Sequence, residues 1–155
     1  MSYIYLDSSA LAKRYLTESG SAWVAALADP SAGNSVIVAE ITRVEVAAAI
    51  AARHRATGGI ARHERDALVG LLLRHFDAEY VITPLSNLIV DQAVRLTQIH
   101  HLRGYDAVQL ATALDTHTTA LAAGLPGLTF VAADDDLLSA AHAEGLAAEN
   151  PNLHP

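Results

Sequence analysis

Four acidic residues of this chain stand where a β-rich run ends or where a helical pattern begins. Asp7 directly follows the run YIYL, and Asp134 follows the run LTFVA after one residue. Glu45 falls in the first turn of a helical pattern, and Asp106 opens the helical stretch DAVQLATAL. Carboxylate oxygens are the ligands that hard divalent cations such as Mg²⁺ and Mn²⁺ prefer. If the fold brings these acids together, they predict a metal site whose bound water can attack a phosphodiester.

Each acid also has a structural interpretation, and for each residue taken alone that alternative stays open. Asp7 and Asp106 are of the type that favours a helix N-terminus, and Glu45 has capping-box spacing from Thr42. The run Asp134–Asp136 contains more acids than one helix start requires. Two carboxylates ~4 Å apart repel by ~1 kcal/mol in bulk water and by ~4 kcal/mol at an effective dielectric constant of about 20. Because clustered carboxylates need compensation, the joint pattern favours a bound cation.

β-rich runs and helical patterns alternate along the chain. The β-rich runs are nearly continuous apolar stretches, as expected for parallel strands covered on both faces, and they span residues 3–6, 35–39, 80–83 and 128–132. The helical patterns, the first of them capped by Ser8 and Ser9, span residues 10–17, 21–29, 43–57, 60–78, 86–102, 105–122 and 135–144. This alternation predicts an α/β fold, a single three-layer α/β/α domain over residues 1–155 with a central, mainly parallel sheet. In such sheets ligands bind beyond the carboxyl ends of the strands, which is where the acids fall.

The composition excludes several classes of protein. Hydrophobic residues make up 52% of the 155 residues, so we expect a packed core rather than disorder. No cysteine is present, which excludes disulfides and thiolate zinc sites. The apolar runs are shorter than the ~20 residues that span a bilayer, and the first residues lack a signal-peptide pattern, so we expect a cytoplasmic protein. The formal net charge of −7 argues against a broad nucleic-acid-binding face, but not against a nuclease whose metal ions supply positive charge.

The stretches that contain the acids resemble the four acidic motifs of PIN-domain ribonucleases, in particular the VapC-type toxins of bacterial type II toxin–antitoxin systems. The stretches are YLDSSALAKRYLTESGS, ITRVEVAAAI, LRGYDAVQLATAL and FVAADDDLLSAA. They follow one another in the family's order with ordinary spacing, and together they extend over nearly the whole chain. A single motif of this kind would be a weak signal, whereas four in order are a strong one.

The resemblance implies a role for particular residues of this chain. The family's catalytic and metal-binding acids match Asp7, Glu45, Asp106 and Asp134. Asp136 is a candidate for an additional carboxylate ligand, whereas Asp135 is expected to be solvated. The family's hydroxyl-bearing supporting positions match Ser8, Ser9 and Thr42. The chain departs from the family pattern at Ala132, where a Ser or Thr is common.

Several basic residues near the motifs are candidates for contacts with RNA. Side chains that could reach RNA phosphates are those of Arg103, Lys13, Arg14 and Arg43, and Arg103 is the best of them because it stands three residues before Asp106. The histidines show no HExxH spacing, and we expect them on the surface. Trp23 and the tyrosines near the N-terminus are expected to be packing residues.

The resemblance implies a Mg²⁺- or Mn²⁺-dependent endoribonuclease that hydrolyses RNA phosphodiesters through a metal-activated water held by the acidic cluster. It further implies a homodimer, inhibited by a cognate small DNA-binding antitoxin. Without the antitoxin, we expect no direct DNA binding, and we expect no association with membranes.

Other functions fit the sequence less well. A haloacid-dehalogenase-like phosphohydrolase needs D-x-D after its first strand, where this chain has Asp7-Ser8-Ser9. A response-regulator receiver domain needs a lysine late in the chain, and the only lysine here is Lys13. The remaining alternative is a non-catalytic PIN-fold binding or scaffold module.

Overall fold

The structure, a computed structural model, describes all residues from Met1 to Pro155 and contains five β-strands and seven α-helices. The strands are β1 (Tyr3–Leu6), β2 (Ser35–Ala39), β3 (Val81–Thr83), β4 (Thr129–Val131) and β5 (Ala147–Glu149). The helices are α1 (Ser8–Leu11), α2 (Ser21–Leu27), α3 (Thr42–Arg55), α4 (Arg62–Ala78), α5 (Asn87–Ile99), α6 (Gly104–Ala122) and α7 (Asp135–Ala143). None of the helices is both long and apolar enough to cross a membrane.

All strands belong to one sheet with the order β3-β2-β1-β4-β5, and every neighbouring pair is parallel. In the centre, Tyr5 of β1 lies opposite Ile37 of β2 on one side and Phe130 of β4 on the other. The strand order reverses at β1, and such a switch point leaves a crevice at the carboxyl ends of the strands. The predicted α/β/α architecture is confirmed, and the sheet is parallel throughout.

The two faces of the sheet are covered by separate apolar layers. Tyr5 and Phe130 point to one face, where their rings stack at 5.5 Å between centroids and pack against α5, α6 and α7. Ile4 and Leu6, the neighbours of Tyr5 along β1, point to the other face and pack against the helices α1 to α4. The strands are therefore buried on both sides, which explains why their sequences are continuously apolar rather than alternating.

The structure differs from the sequence-based prediction in two places. β5 was not predicted, because its sequence AAE consists of residues that are depleted in strands, and only pairing with β4 makes it extended. The predicted helix 10–17 is instead the single turn α1 followed by a 3₁₀ turn over Ala12–Arg14. Its cap is Asp7, whose side chain accepts a hydrogen bond from the backbone of Ala10, and not Ser8 or Ser9.

The C-terminal residues pack against the start of α2 at Gly20. This glycine has φ +82°, and a Cβ at this position would collide with the backbone carbonyl of Pro151. Gly33 has a similar φ of +71°, but no heavy atom lies within 4 Å of its would-be Cβ. Comparing alanine variants at the two glycines therefore distinguishes the cost of backbone strain, present at both, from the cost of steric collision, present only at Gly20.

We expect Gly33→Ala to lower the free energy of unfolding by about 1–2 kcal/mol, the cost of a left-handed backbone with a Cβ. Gly20→Ala should lose a further ~1–3 kcal/mol, because the C-terminal turn must move to admit the methyl group. Urea unfolding of both variants measures the difference. Equal losses would show that Pro151 does not constrain Gly20.

Candidate functional site

A cleft of about 530 Å³ opens at the carboxyl end of the sheet and contains all four predicted acids. Asp7 follows β1, Glu45 is in the first turn of α3 after β2, and Asp134 precedes α7 after β4. Asp106 joins them from the first turn of α6. The structure therefore brings the four acids to one place, as the argument from strand ends predicts. Their role as metal ligands remains a prediction.

Asp7 is fixed at the bottom of the cleft, with 1% of its surface exposed. Its Oδ1 accepts a hydrogen bond from the backbone N–H of Ala10 at 2.9 Å. The Ser9 hydroxyl lies 2.7 Å from Oδ1 and 2.9 Å from Oδ2 of the same carboxylate. That hydroxyl also accepts a hydrogen bond from the backbone N–H of Ala133 at 2.9 Å. Ser9 therefore ties the end of β1 to the segment after β4, next to Ala132, where the family's usual hydroxyl is missing.

Glu45 receives one hydrogen bond on each carboxylate oxygen. The Ser8 hydroxyl donates to Oε2 at 3.0 Å, and the Gln109 side-chain amide donates to Oε1 at 2.7 Å. The capping-box interpretation of Glu45 is wrong, because Thr42 is itself the first residue of α3 and gives no side-chain cap. Thr42 is instead buried, and its hydroxyl accepts a hydrogen bond from Gln109 at 2.9 Å.

Asp106 and Asp134 lie on the more open side of the cleft. Asp134 caps α7, since its Oδ1 accepts a hydrogen bond from the backbone N–H of Leu137 at 2.9 Å. Asp106 lies 3.5 Å (Oδ2 to Nε) from Arg103, whose side chain is 87% exposed. Both acids also line a smaller adjoining cavity of about 200 Å³, together with Asp136.

The other two residues of the DDD run have different surroundings. Asp136 faces the smaller cavity, and its Oδ2 lies 3.3 Å from Nδ1 of His101. Asp135 is exposed at the start of α7, where its Oδ1 accepts a hydrogen bond from Asn150 at 3.3 Å. Only Asp136 is therefore placed to add a carboxylate to the site, and that role remains a prediction.

Three of the four acids have raised pKa values. Burial raises the pKa of Asp7 from its ordinary 3.8 to about 7, against the hydrogen bonds from Ser9 and Ala10, which lower it. Burial also raises the pKa of Glu45 and of Asp106, and the negative charge of a neighbouring carboxylate adds to the rise in each case. The cleft thus disfavours additional negative charge and would be stabilised by a cation.

The carboxylates of the cleft are close enough to affect one another's pKa, but they do not point to one common position. The structure contains no group of three or more His, Cys, Asp or Glu side chains arranged to hold a metal ion as it stands. The acids therefore lie in one cleft and raise one another's pKa values, but their side chains are not arranged as a complete set of metal ligands.

Two of the predicted RNA-contacting residues line the cleft. Arg103 stands at its edge, and Lys13 lies inside with 5% of its side chain exposed. The Lys13 ammonium is 3.1 Å from Oε2 of Glu18, whose other oxygen accepts a hydrogen bond from Arg53 at 2.9 Å. Lys13 and Arg103 are the basic side chains that line the cleft, and each is paired with an acid of the same cleft.

The other two candidates lie outside the cleft and have protein partners. Arg14 pairs with Glu79 at 2.8 Å and donates to the Tyr80 hydroxyl at 2.6 Å. Arg43 is exposed, with its guanidinium carbon 5.7 Å from the centre of the Phe76 ring. RNA contacts by these two residues stay predictions.

Five of the eight histidines are only partly exposed and so depart from the expected surface position: His54, His75, His100, His117 and His154. His75 is largely buried against the Tyr15 hydroxyl at 2.8 Å, and His100 is largely buried against Glu144 at 2.8 Å. No histidine lines the larger cleft, and only His101 borders the smaller cavity.

Gln109, a fully buried polar residue that contacts Glu45, is not among the residues predicted from the sequence. It stands three residues after Asp106, so both lie on the same side of α6. A signal was present, because Gln109 is a polar side chain within the otherwise apolar run AVQLA.

Comparison with curated proteins found two relatives of this chain. Two curated relatives are 33% identical over an alignment that covers the whole of this chain and the whole of each relative: Ribonuclease VapC45 and Ribonuclease VapC49, from two strains of Mycobacterium tuberculosis. No protein-family model matches the chain.

Solved structures share the fold at low identity. FitAB bound to an IR36 DNA fragment has a TM-score of 0.62 at 18% identity, and a toxin–antitoxin complex from Klebsiella pneumoniae has 0.57 at 17%. VapBC2 from Rickettsia felis, bound to a DNA fragment from its promoter, has a TM-score of 0.58 at 13% identity. Each match covers at least 96% of this chain and 94% of the other chain. With the full-length identity to the two ribonucleases, these findings show that the chain belongs to the VapC family of PIN-domain ribonucleases.

Proposed function

We propose that this protein is a Mg²⁺- or Mn²⁺-dependent endoribonuclease and the toxin of a toxin–antitoxin pair. Membership of the VapC ribonuclease family supports the activity on RNA. One observation carries the proposed metal dependence: Asp7, Glu45, Asp106 and Asp134 line a single cleft, where burial and mutual repulsion raise the pKa of three of them.

The donor set fits a hard cation. The larger cleft offers carboxylate oxygens and neither cysteine nor histidine, a combination that suits Mg²⁺ or Mn²⁺ rather than zinc. The ion would be held by Asp7, Glu45, Asp106 and Asp134, with Asp136 at the edge of the site. Since these side chains are not yet grouped as ligands, binding requires some of them to move. Asp106 and Asp134 have room to do so, because both are only partly buried.

The residues of the chain can be given separate tasks in hydrolysis. When bound, a divalent ion lowers the pKa of water and neutralises charge that develops on the scissile phosphate. Asp7 acts as a fixed anchor, because its two oxygens are already held by Ser9 and Ala10. Asp106 is suited to accept the proton of the attacking water, since it is partly exposed and its pKa is raised. Lys13 and Arg103, which line the cleft, would contact the phosphates of the bound RNA.

We further propose that the protein forms a homodimer and binds a small DNA-binding antitoxin. Support comes from the neighbouring folds, which were solved as toxin–antitoxin complexes. Helix α5 also exposes apolar side chains, with Leu88 75%, Val94 59% and Ile99 58% exposed, as is common where a protein partner binds. We expect a cytoplasmic protein that does not bind DNA without the antitoxin, in keeping with its net charge of −7.

Cleavage of a mixed tRNA and rRNA pool tests the activity. We expect cuts with Mg²⁺ or Mn²⁺, none with EDTA, and none above background for Asp7→Asn or Asp106→Asn, because each removes a charged ligand from the cleft. Asp135→Asn is the matched control, since Asp135 is exposed outside the cleft, and it should cleave like the wild type. Full activity of both cleft variants would show that the site is elsewhere.

If no RNA in the pool is cut, expression toxicity separates the alternatives. Toxicity of the wild type that Asp7→Asn relieves would indicate a nuclease with a narrow target. Equal growth with either chain would favour the non-catalytic scaffold.

The raised pKa of Asp7 predicts a pH-dependent gain in stability for Asp7→Asn. The folded protein binds the Asp7 proton up to about pH 7 and the unfolded chain only up to about 3.8, so this group lowers stability as the pH rises between these values. In EDTA, Asp7→Asn should therefore melt above the wild type at pH 8, and the difference should shrink towards pH 5. Thermal unfolding across that range measures it. A difference that does not change with pH would contradict the assigned pKa.

Metal binding predicts a second difference in melting temperature. Mg²⁺ should raise the melting temperature of the wild type more than that of Asp7→Asn or Asp106→Asn, because a ligand stabilises the state that binds it. Asp135→Asn should respond like the wild type. Equal shifts in all four proteins would place the ion outside the cleft.

A further inference from the structure

We propose that Gln109 is a positioning residue, which holds the Glu45 carboxylate in the orientation that binds the divalent ion. The inference rests on the proposed function, since it assumes that Glu45 is a ligand. It adds a residue outside the four acidic motifs, and it assigns to that residue an effect on metal affinity.

Gln109 links three elements around the cleft. Its side-chain nitrogen donates to Oε1 of Glu45 at 2.7 Å and to the Thr42 hydroxyl at 2.9 Å, both on α3. Its side-chain oxygen accepts a hydrogen bond from the Tyr5 hydroxyl at 2.8 Å, from β1. Gln109 itself lies on α6 and is fully buried. All of its side-chain hydrogen-bonding groups thus have partners in the protein.

Chemistry fixes which way the amide of Gln109 points. An ionised carboxylate can only accept hydrogen bonds, so the amide nitrogen must face Glu45. The amide oxygen then faces Tyr5, whose hydroxyl has a proton to donate. Both contacts favour the same orientation, and a buried amide with every group paired resists rotation.

The result is a Glu45 carboxylate held from two sides. Gln109 holds Oε1 from α6, while Ser8 holds Oε2 from α1. Each oxygen keeps a second lone pair, so neither contact prevents binding of an ion. Without Gln109 one oxygen loses its donor, and the flexible glutamate side chain can turn away from the cleft. Hydrogen bonds to ligating carboxylates commonly change metal affinity by about 10- to 100-fold.

A purely structural role is the competing explanation, in which Gln109 serves only to pair the buried Tyr5 hydroxyl. Two variants distinguish the explanations. Gln109→Met keeps the length and approximate volume of the side chain but removes the donor to Glu45. Tyr5→Phe breaks the same buried network at its other end and leaves the contact between Gln109 and Glu45 in place.

The test is Mn²⁺ affinity of the full chain, measured by electron paramagnetic resonance of free Mn²⁺, with circular dichroism to verify folding. Gln109→Met should bind Mn²⁺ about 10- to 100-fold more weakly than the wild type, while Tyr5→Phe stays within about threefold. An affinity of Gln109→Met within threefold of the wild type overturns the proposal. Equal weakening in both variants also overturns it, because a general role in the network would then explain the loss. If Gln109→Met does not fold, Gln109→Leu, which also lacks the amide donor and adds no charge, is judged by the same thresholds.

The Mn²⁺ affinities of the wild type and of Asp7→Asn show whether the proposed metal site exists. If the wild type binds no Mn²⁺, or if Asp7→Asn binds it equally well, the proposed metal site fails and the role of Gln109 fails with it. If the wild type binds and Asp7→Asn does not, the site stands, and the Gln109 variants alone decide the inference.

Discussion

The parallel direction of all strands is the constraint on which the rest of this structure depends. It sends every carboxyl end to one edge of the sheet, so side chains that are far apart in sequence meet there. Asp7 and Asp134 follow the adjacent central strands β1 and β4, and Glu45 follows β2 on the other side of β1. Asp106 arrives without a strand of its own, on the long helix α6. The cleft therefore depends on the parallel topology, which brings the acids together, as well as on the acids themselves.

Carboxylates held close together repel one another, which lowers the stability of the fold. Uncharged hydrogen-bond donors of the chain offset part of this loss. Ser9 holds Asp7, and Ser8 and Gln109 hold Glu45, so the two more buried acids receive hydrogen bonds rather than salt bridges. The two basic residues of the cleft pair with other acids: Lys13, which is buried in the cleft, pairs with Glu18, and Arg103 at the exposed edge pairs with Asp106. The charges of Asp7 and Glu45 therefore stay available to an ion. A lysine or arginine in contact with these two acids would have neutralised that charge.

Much of this could be predicted from the sequence, for physical reasons that differ between residues. Strands covered on both faces have continuous apolar sequences, so β1 and β2 were found with their observed bounds. The short edge strand β5 was not, because its pairing and not its composition makes it extended. The meeting of the four acids was expected from their positions at strand ends or helix starts, whereas the capping-box spacing of Thr42 and Glu45 was misleading. The contacts of Gln109, Arg14 and Arg43 depend on how segments that are distant in sequence pack together, and no local pattern specifies that.

Two of the acids have a second task, and this affects how relatives of the protein should be compared. Asp7 and Asp134 each cap a helix with the same carboxylate that faces the cleft. A relative that had lost its activity would therefore still have a folding reason to retain them. Asp106 accepts no hydrogen bond from a backbone amide, and its one salt-bridge partner is the exposed Arg103. If the acids act as proposed, replacement of Asp106 among homologous sequences is thus a more sensitive sign of lost catalysis than replacement of either capping aspartate.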